Sequence, residues 1–356
     1  MSNPLSIWSA LAMFGVFNVP AGAQASPTVA PHGSWASPIG AEQLAAGGIG
    51  LADLQVHGGH LYWRESRPDE AGRQVLMRMA PDGRPEQLTP DGFNVRTRVH
   101  EYGGASYVVL DGDAVVFSEF ADQRLYLQRG GVAPVAITPP GYRYADCQRH
   151  PIRNALLCVR EDHTDSTVAA NGEERNEIVL VALPEDGEGD FVPSPGRVLV
   201  TGTDFVAYPR ISPDGRRLAW LWWNHPDMPW DSARLSLAEL EGDDVGTPTT
   251  IAGGADQAAL EPQWDADGRL HFIDEPTGWW NLYAWADGGA RPLAPAAREY
   301  AGPLWSHGAS SYALPGDGRV LAASSLAGVD RLELVPAAGG EPRAFELPYV
   351  AFAGVR

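Results

Sequence analysis

The sequence predicts an all-β protein, a β-propeller of six four-stranded blades with the start of a seventh. Three observations carry this reading. Short β-rich segments recur along the chain, the same tight turn returns in register, and the composition is rich in turn formers. Second segments of successive units begin at Leu76, Leu125, Ile178, Leu235, Leu282 and Leu332, which are 49, 53, 57, 47 and 50 residues apart. A period near 50 with several strands per unit belongs to propeller blades. Asp214-Gly215-Arg216, Asp267-Gly268-Arg269 and Asp317-Gly318-Arg319 place one turn at the same point of three units, and Asp-Gly supplies the positive φ that a tight hairpin needs. Gly 40 and Pro 30 among 356 residues suit a turn-rich fold, while 44% hydrophobic residues supply a core.

Each unit reads in the same order. First segments are Leu61-Tyr62-Trp63, Val115-Val116-Phe117, Leu156-Leu157-Cys158, Leu218-Ala219-Trp220, Leu270-His271-Phe272 and Val320-Leu321-Ala322. An edge-like piece closes each unit, from Pro85 to Pro90, Pro134 to Pro139, Arg197 to Gly202, Pro248 to Gly254, Arg291 to Pro295 and Pro342 to Pro348. The propeller is expected over 51–356, and Tyr349 to Arg356 reads as the first strand of a seventh blade. An unfinished blade leaves unpaired edges, so either six blades close and the tail is extra, or the sequence is part of a longer protein. The expected innermost strands carry Tyr107, Cys147, Tyr208, Pro262, Trp264 and Leu304.

Residues 1–25 read as an export signal, followed by a lead-in segment over 26–50. Ile7 to Val19 is apolar but too short to span a bilayer, and Ala23-Gln24-Ala25 offers small residues for cleavage before Ser26. The usual positive start is missing, since the first basic residue is Arg64. A periplasmic or secreted protein with no membrane span is expected. Cys147 and Cys158 flank the turn-like His150 to Asn154. A hairpin there would face them for a disulfide, while two reduced, buried cysteines remain the alternative. Two thiols without paired histidine spacing do not suggest a metal, and no cofactor is expected.

Charge narrows the partners. The chain has 26 Lys+Arg against 45 Asp+Glu, for a formal charge of -19, and every basic residue is Arg. Nucleic-acid binding is not expected, because phosphate neutralisation needs the opposite balance.

Several stretches are more distinctive than the repeat. They are Arg98-Val99-His100-Glu101-Tyr102-Gly103-Gly104, Trp222-Trp223-Asn224-His225-Pro226-Asp227-Met228-Pro229-Trp230-Asp231 after the Ser212-Pro213-Asp214-Gly215 turn, and Glu261-Pro262-Gln263-Trp264 with Gly278 to Tyr283. In these the chain resembles the propeller of the prolyl oligopeptidase family of serine peptidases, in its dipeptidyl-aminopeptidase and acylaminoacyl-peptidase branch, from about residue 35 onward. The resemblance implies an α/β-hydrolase domain in cis with a Ser-Asp-His triad, short peptides as substrates, and a propeller face that covers the active site.

No catalytic residue is assigned in this chain. A nucleophile elbow needs small residues around an exposed Ser, but Gly308-Ala309-Ser310-Ser311-Tyr312 ends in Tyr and Ser324-Ser325-Leu326-Ala327-Gly328 lacks the first Gly. His57-Gly58-Gly59 reads as a turn before a blade strand. No peptidase activity is expected from this chain alone. Substrate-facing or interdomain candidates are Arg98, His100, Glu101, Tyr102, Trp222, Trp223, Asn224, His225 and Trp230. Up-and-down topology sends their loops to one face. Arg98 and Glu101 suit a peptide carboxylate or amine through charge-assisted hydrogen bonds, or a structural pair at a blade junction. The tryptophans suit a substrate surface or packing between sheets, and His225 a loop hydrogen bond. Glu173-Glu174 resembles the amine-binding glutamates of dipeptidyl peptidases, yet its flanks differ and it reads as a solvated loop. Two other classes stay open: a stand-alone binding scaffold, and a metal-dependent propeller hydrolase, which the inner-strand residues favour least.

Overall fold

The computed structural model describes residues 29–34, 37–41, 47–81, 83–164, 174–185, 191–242 and 244–356. The expected signal over 1–25, its boundary at Ser26, and Glu173 lie outside the described residues. Six antiparallel sheets follow one another along the chain, and each is built from one continuous stretch. Blade 1 spans 51–87, blade 2 107–136, blade 3 142–200, blade 4 205–252, blade 5 260–292 and blade 6 312–344. Strands A to D run outward in chain order, with an extra two-residue strand, Asp244–Val245, in blade 4.

Burial explains the apolar segments. Ala114–Ser118 and all of Ala155–Asp162 except its last residue are buried, because the middle strands of a blade are covered by neighbouring blades on both faces. Continuous apolar runs therefore stand where a one-sided sheet would alternate. The Asp-Gly turns join strands A and B, with Gly215, Gly268 and Gly318 at φ 74°, 78° and 78°, so all three lie on one face of the ring.

The innermost strands share an irregularity. Register shifts interrupt the A–B pairing in blades 1, 3, 4 and 5, and a left-handed residue sits at each: Asp53, Asp146, Tyr208 and Glu261. Such bulges turn a strand and re-aim its side chains. Here they serve contacts between blades: Arg210 pairs with Asp146 at 3.1 Å, the Glu261 carboxylate accepts from the Ser311 amide at 2.7 Å, and the Tyr312 hydroxyl donates to the Glu261 carbonyl at 2.6 Å. Cys147 and Cys158 form a disulfide across the blade 3 bulge.

Apolar cores join blades 1 and 2, 2 and 3, 3 and 4, and 4 through 6. None of these cores joins blade 6 to blade 1. A cleft of about 870 Å³ lies there instead, lined by Leu51, Leu54 and Trp63 on one side and by Tyr300, Ala323 and Phe352 on the other.

Two expectations are corrected. The first strand of blade 6 is Tyr312–Ala313, so Leu304 lies on the connection before it. Residues 349–356 form no strand of a seventh blade. Their backbone bonds are scattered, from Asp330 to Val350 at 3.0 Å and from Val355 to Ser310 at 2.9 Å, so they lie against blade 6 without a ladder.

Candidate functional site

Connections between blades and the B–C loops meet on the face opposite the Asp-Gly turns. The stretch Arg98 to Gly104 lies there between blades 1 and 2, and its backbone is tightly coiled. His100 and Glu101 are left-handed at φ 51° and 60°, and Gly103 donates to Val99 at 2.9 Å. Both glycines are demanded by close approach. A Cβ on Gly103 would stand 2.2 Å from the Thr97 carbonyl oxygen, and one on Gly104 2.2 Å from that of His307. His307 belongs to the connection before blade 6, and its amide donates to the Gly103 carbonyl at 2.8 Å. Residues 98–105 and 303–309 thus form a backbone strap between the connections that lead into blades 2 and 6.

An aromatic pocket of about 150 Å³ opens beside the strap. Phe205 and Trp223 are cross-strand partners in blade 4 and stack with centroids 5.3 Å apart. His225 meets Phe205 at 5.0 Å, and the short helix Pro229–Ser232 brings Trp230 to 4.5 Å from Trp305, which also meets Tyr102 at 5.6 Å. His100 and His307 lie 4.6 Å apart at the inner end. Desolvation holds the His100 imidazole down to about 3, helped by neighbouring His307, and desolvation with the charge of Arg210 does the same for His307. Both rings are therefore neutral at pH 7.

Charged groups stand beside the pocket. Glu101 is paired with Arg98 at 2.8 Å and with Arg143 at 2.7 Å, and these hydrogen bonds, Arg143 first, lower its carboxyl below the usual range. Glu161 accepts from the His100 amide at 2.6 Å and lies 3.0 Å from His163. The structure thus brings His100, Tyr102, Trp223, His225 and Trp230 into one pocket, with Arg98 and Glu101 forming an exposed ion pair outside it. Trp222 and Asn224 lie elsewhere: the Trp222 indole donates to Ser236 at 2.8 Å with Arg234 over its ring, and Asn224 accepts from the Asp204 amide at 2.8 Å. Phe205, Trp305 and His307 complete the pocket and were not singled out from the sequence. One sequence cue marks the last two: Trp305-Ser306-His307-Gly308 precedes blade 6 as His100 to Gly104 precedes blade 2.

Fold and site define a six-bladed propeller that carries an aromatic pocket on one face. No protein-family model matches the chain, and no curated protein does. Among solved structures it is similar to a Mycobacterium tuberculosis puromycin-hydrolysing peptidase, at 36% identity and a TM-score of 0.82, over 92% of this chain and 51% of that one. A puromycin hydrolase matches at 32% identity and 0.81, with the same coverage. A prolyl endopeptidase structure at 13% identity and 0.53, over 84% of this chain and 42% of that one, shares the fold alone. The chain spans about half the length of the puromycin-hydrolysing enzymes it matches. The part it matches is their N-terminal propeller, and it shares that propeller fold with the prolyl oligopeptidases.

Proposed function

We propose that this chain is the non-catalytic propeller of an exported serine exopeptidase of the dipeptidyl-aminopeptidase and acylaminoacyl-peptidase branch, gating short peptides into a hydrolase domain that packs on the pocket face. The observation that carries the reading is the likeness to puromycin-hydrolysing peptidases across 92% of this chain. The distinctive stretches of the sequence also gather on one face, while the opposite face holds repeated Asp-Gly turns. The disulfide between Cys147 and Cys158 supports an oxidising compartment, and the Ala23-Gln24-Ala25 pattern supports export.

The intact mass of the protein made from its native gene tests the first half of this reading. A product larger by a hydrolase domain is expected, and that product should cleave dipeptide and tripeptide amides while sparing peptides of about 30 residues. Equal cleavage of both lengths would end the gating proposal. A product no larger than this chain would favour a binding scaffold, which complete four-stranded blades also suit.

A further inference from the structure

The inner end of the aromatic pocket holds a polar group with no partner. His307 is 4% exposed, and neither Nδ1 nor Nε2 has a hydrogen-bond partner among the described residues. His100 beside it differs, since its Nε2 lies 2.8 Å from Asn176 Oδ1. A neutral imidazole presents one donor and one acceptor nitrogen, and a buried polar atom left unpaired is costly. Buried polar groups in natural structures are nearly always paired, with protein, ordered water or a ligand.

The walls around it specify a shape. Phe205, Trp223, Trp230 and Trp305 offer ring faces and edges, which favour an aromatic guest through stacked or edge-on contacts. The volume of about 150 Å³ equals that of an engineered cavity known to take a single benzene. It has room for one six-membered ring. A hydroxyl on that ring both donates and accepts, so it can serve either nitrogen of His307.

We infer that this pocket is a subsite for one phenol-type aromatic side chain, with His307 as the residue that sets its preference for a hydroxylated ring. The ring would belong to a peptide only if the proposed function is right, but binding of the ring itself stands apart from that reading.

The 356-residue chain is titrated with N-acetyl-tyrosinamide, N-acetyl-phenylalaninamide and N-acetyl-leucinamide, following tryptophan fluorescence excited away from tyrosine. The tyrosine amide should bind saturably, the phenylalanine amide about five-fold more weakly, as one net hydrogen bond implies, and the leucine amide most weakly. His307→Phe should bring the tyrosine amide down to the phenylalanine level, and Trp230→Ala should weaken both aromatic ligands. Nitrogen shifts of the His307 ring in the unaltered chain give a second reading that needs no variant: they should move with the tyrosine amide and stay still with phenylalanine. Equal binding of leucine and tyrosine, a tyrosine preference that survives His307→Phe, still nitrogen shifts, or no saturation by any ligand would each overturn the inference. These titrations need no catalytic partner, so they can fail while gating by the complete enzyme holds, and the reverse.

Discussion

The two ends of the repeat meet differently from the blades between them. Blades 4 to 6 share one continuous apolar core in which Leu221, Phe272, Leu282 and Val320 have no measurable exposure. At the junction of blades 6 and 1, Leu51 is 50% exposed and Trp63 is only partly covered, beside a cleft of about 870 Å³. Side-chain interdigitation seals the first region. The second is spanned by backbone, through the strap of residues 98–105 and 303–309. Packing and bridging are thus separate solutions to closing one ring, and they should respond differently to substitution.

The sharpest test removes bulk from the sealed side. Phe272→Ala should lower unfolding free energy by about 3–5 kcal/mol, because a buried aromatic leaves a cavity that its neighbours cannot fill. Urea midpoints would report it, and a loss below about 1 kcal/mol would erase the contrast between the regions. Next in size is the strap. Gly104→Ala places a Cβ against the His307 carbonyl at a left-handed position and should destabilise by about 3 kcal/mol, with exchange of the His307 amide rising more than that of core amides in blade 5. Uniform exchange would mean that the strap is no local bridge.

Acid should act on the strap as well. His100 and His307 remain neutral in the folded state to about 3, whereas unfolded histidine takes a proton near 6.5. The unfolded state therefore binds more protons between those limits, so this stabilisation is present above about pH 6.5 and is lost as pH falls toward 3. Each histidine contributes a slope of about 1.4 kcal/mol per pH unit. Asp146 and Glu261, raised mainly by burial, act with the opposite sign, so the informative quantity is a difference. His307→Phe should flatten the stability profile by about 1.4 kcal/mol per unit between pH 6 and 4, and matching profiles would refute neutral burial of this ring. Smallest of all, Leu51→Ala at the cleft should change stability by less than about 1 kcal/mol; a loss as large as that of Phe272→Ala would show the cleft to be filled in solution.

Reading depth in the sequence follows the same divide. Every blade is a continuous stretch of chain, so the period, the Asp-Gly turns and the order of strands were local and legible. Trp222 and Trp223 show a middle case. Neighbours on a strand point to opposite faces, so only one could enter a given pocket, and the alternation alone could not say which. His307 was harder, because its value comes from meeting His100 across two connections far apart in the chain. The cleft was not legible at all, since it depends on how the last blade meets the first. The tail at 349–356 misled the repeat for a related reason: its residues resemble a strand, but a strand exists only where a neighbour offers a ladder.

Among the described residues no sheet borrows a strand from another, and this has a mechanical consequence. The ring behaves as a split washer, with five stiff joints and one gap held by a clasp. Spreading the gap would stretch the clasp of glycine contacts and strip a few half-covered side chains, yet no ladder within any blade would have to break. The elastic response of the ring is then concentrated beside the aromatic pocket, because His307 is at once part of the clasp and part of the pocket's inner end.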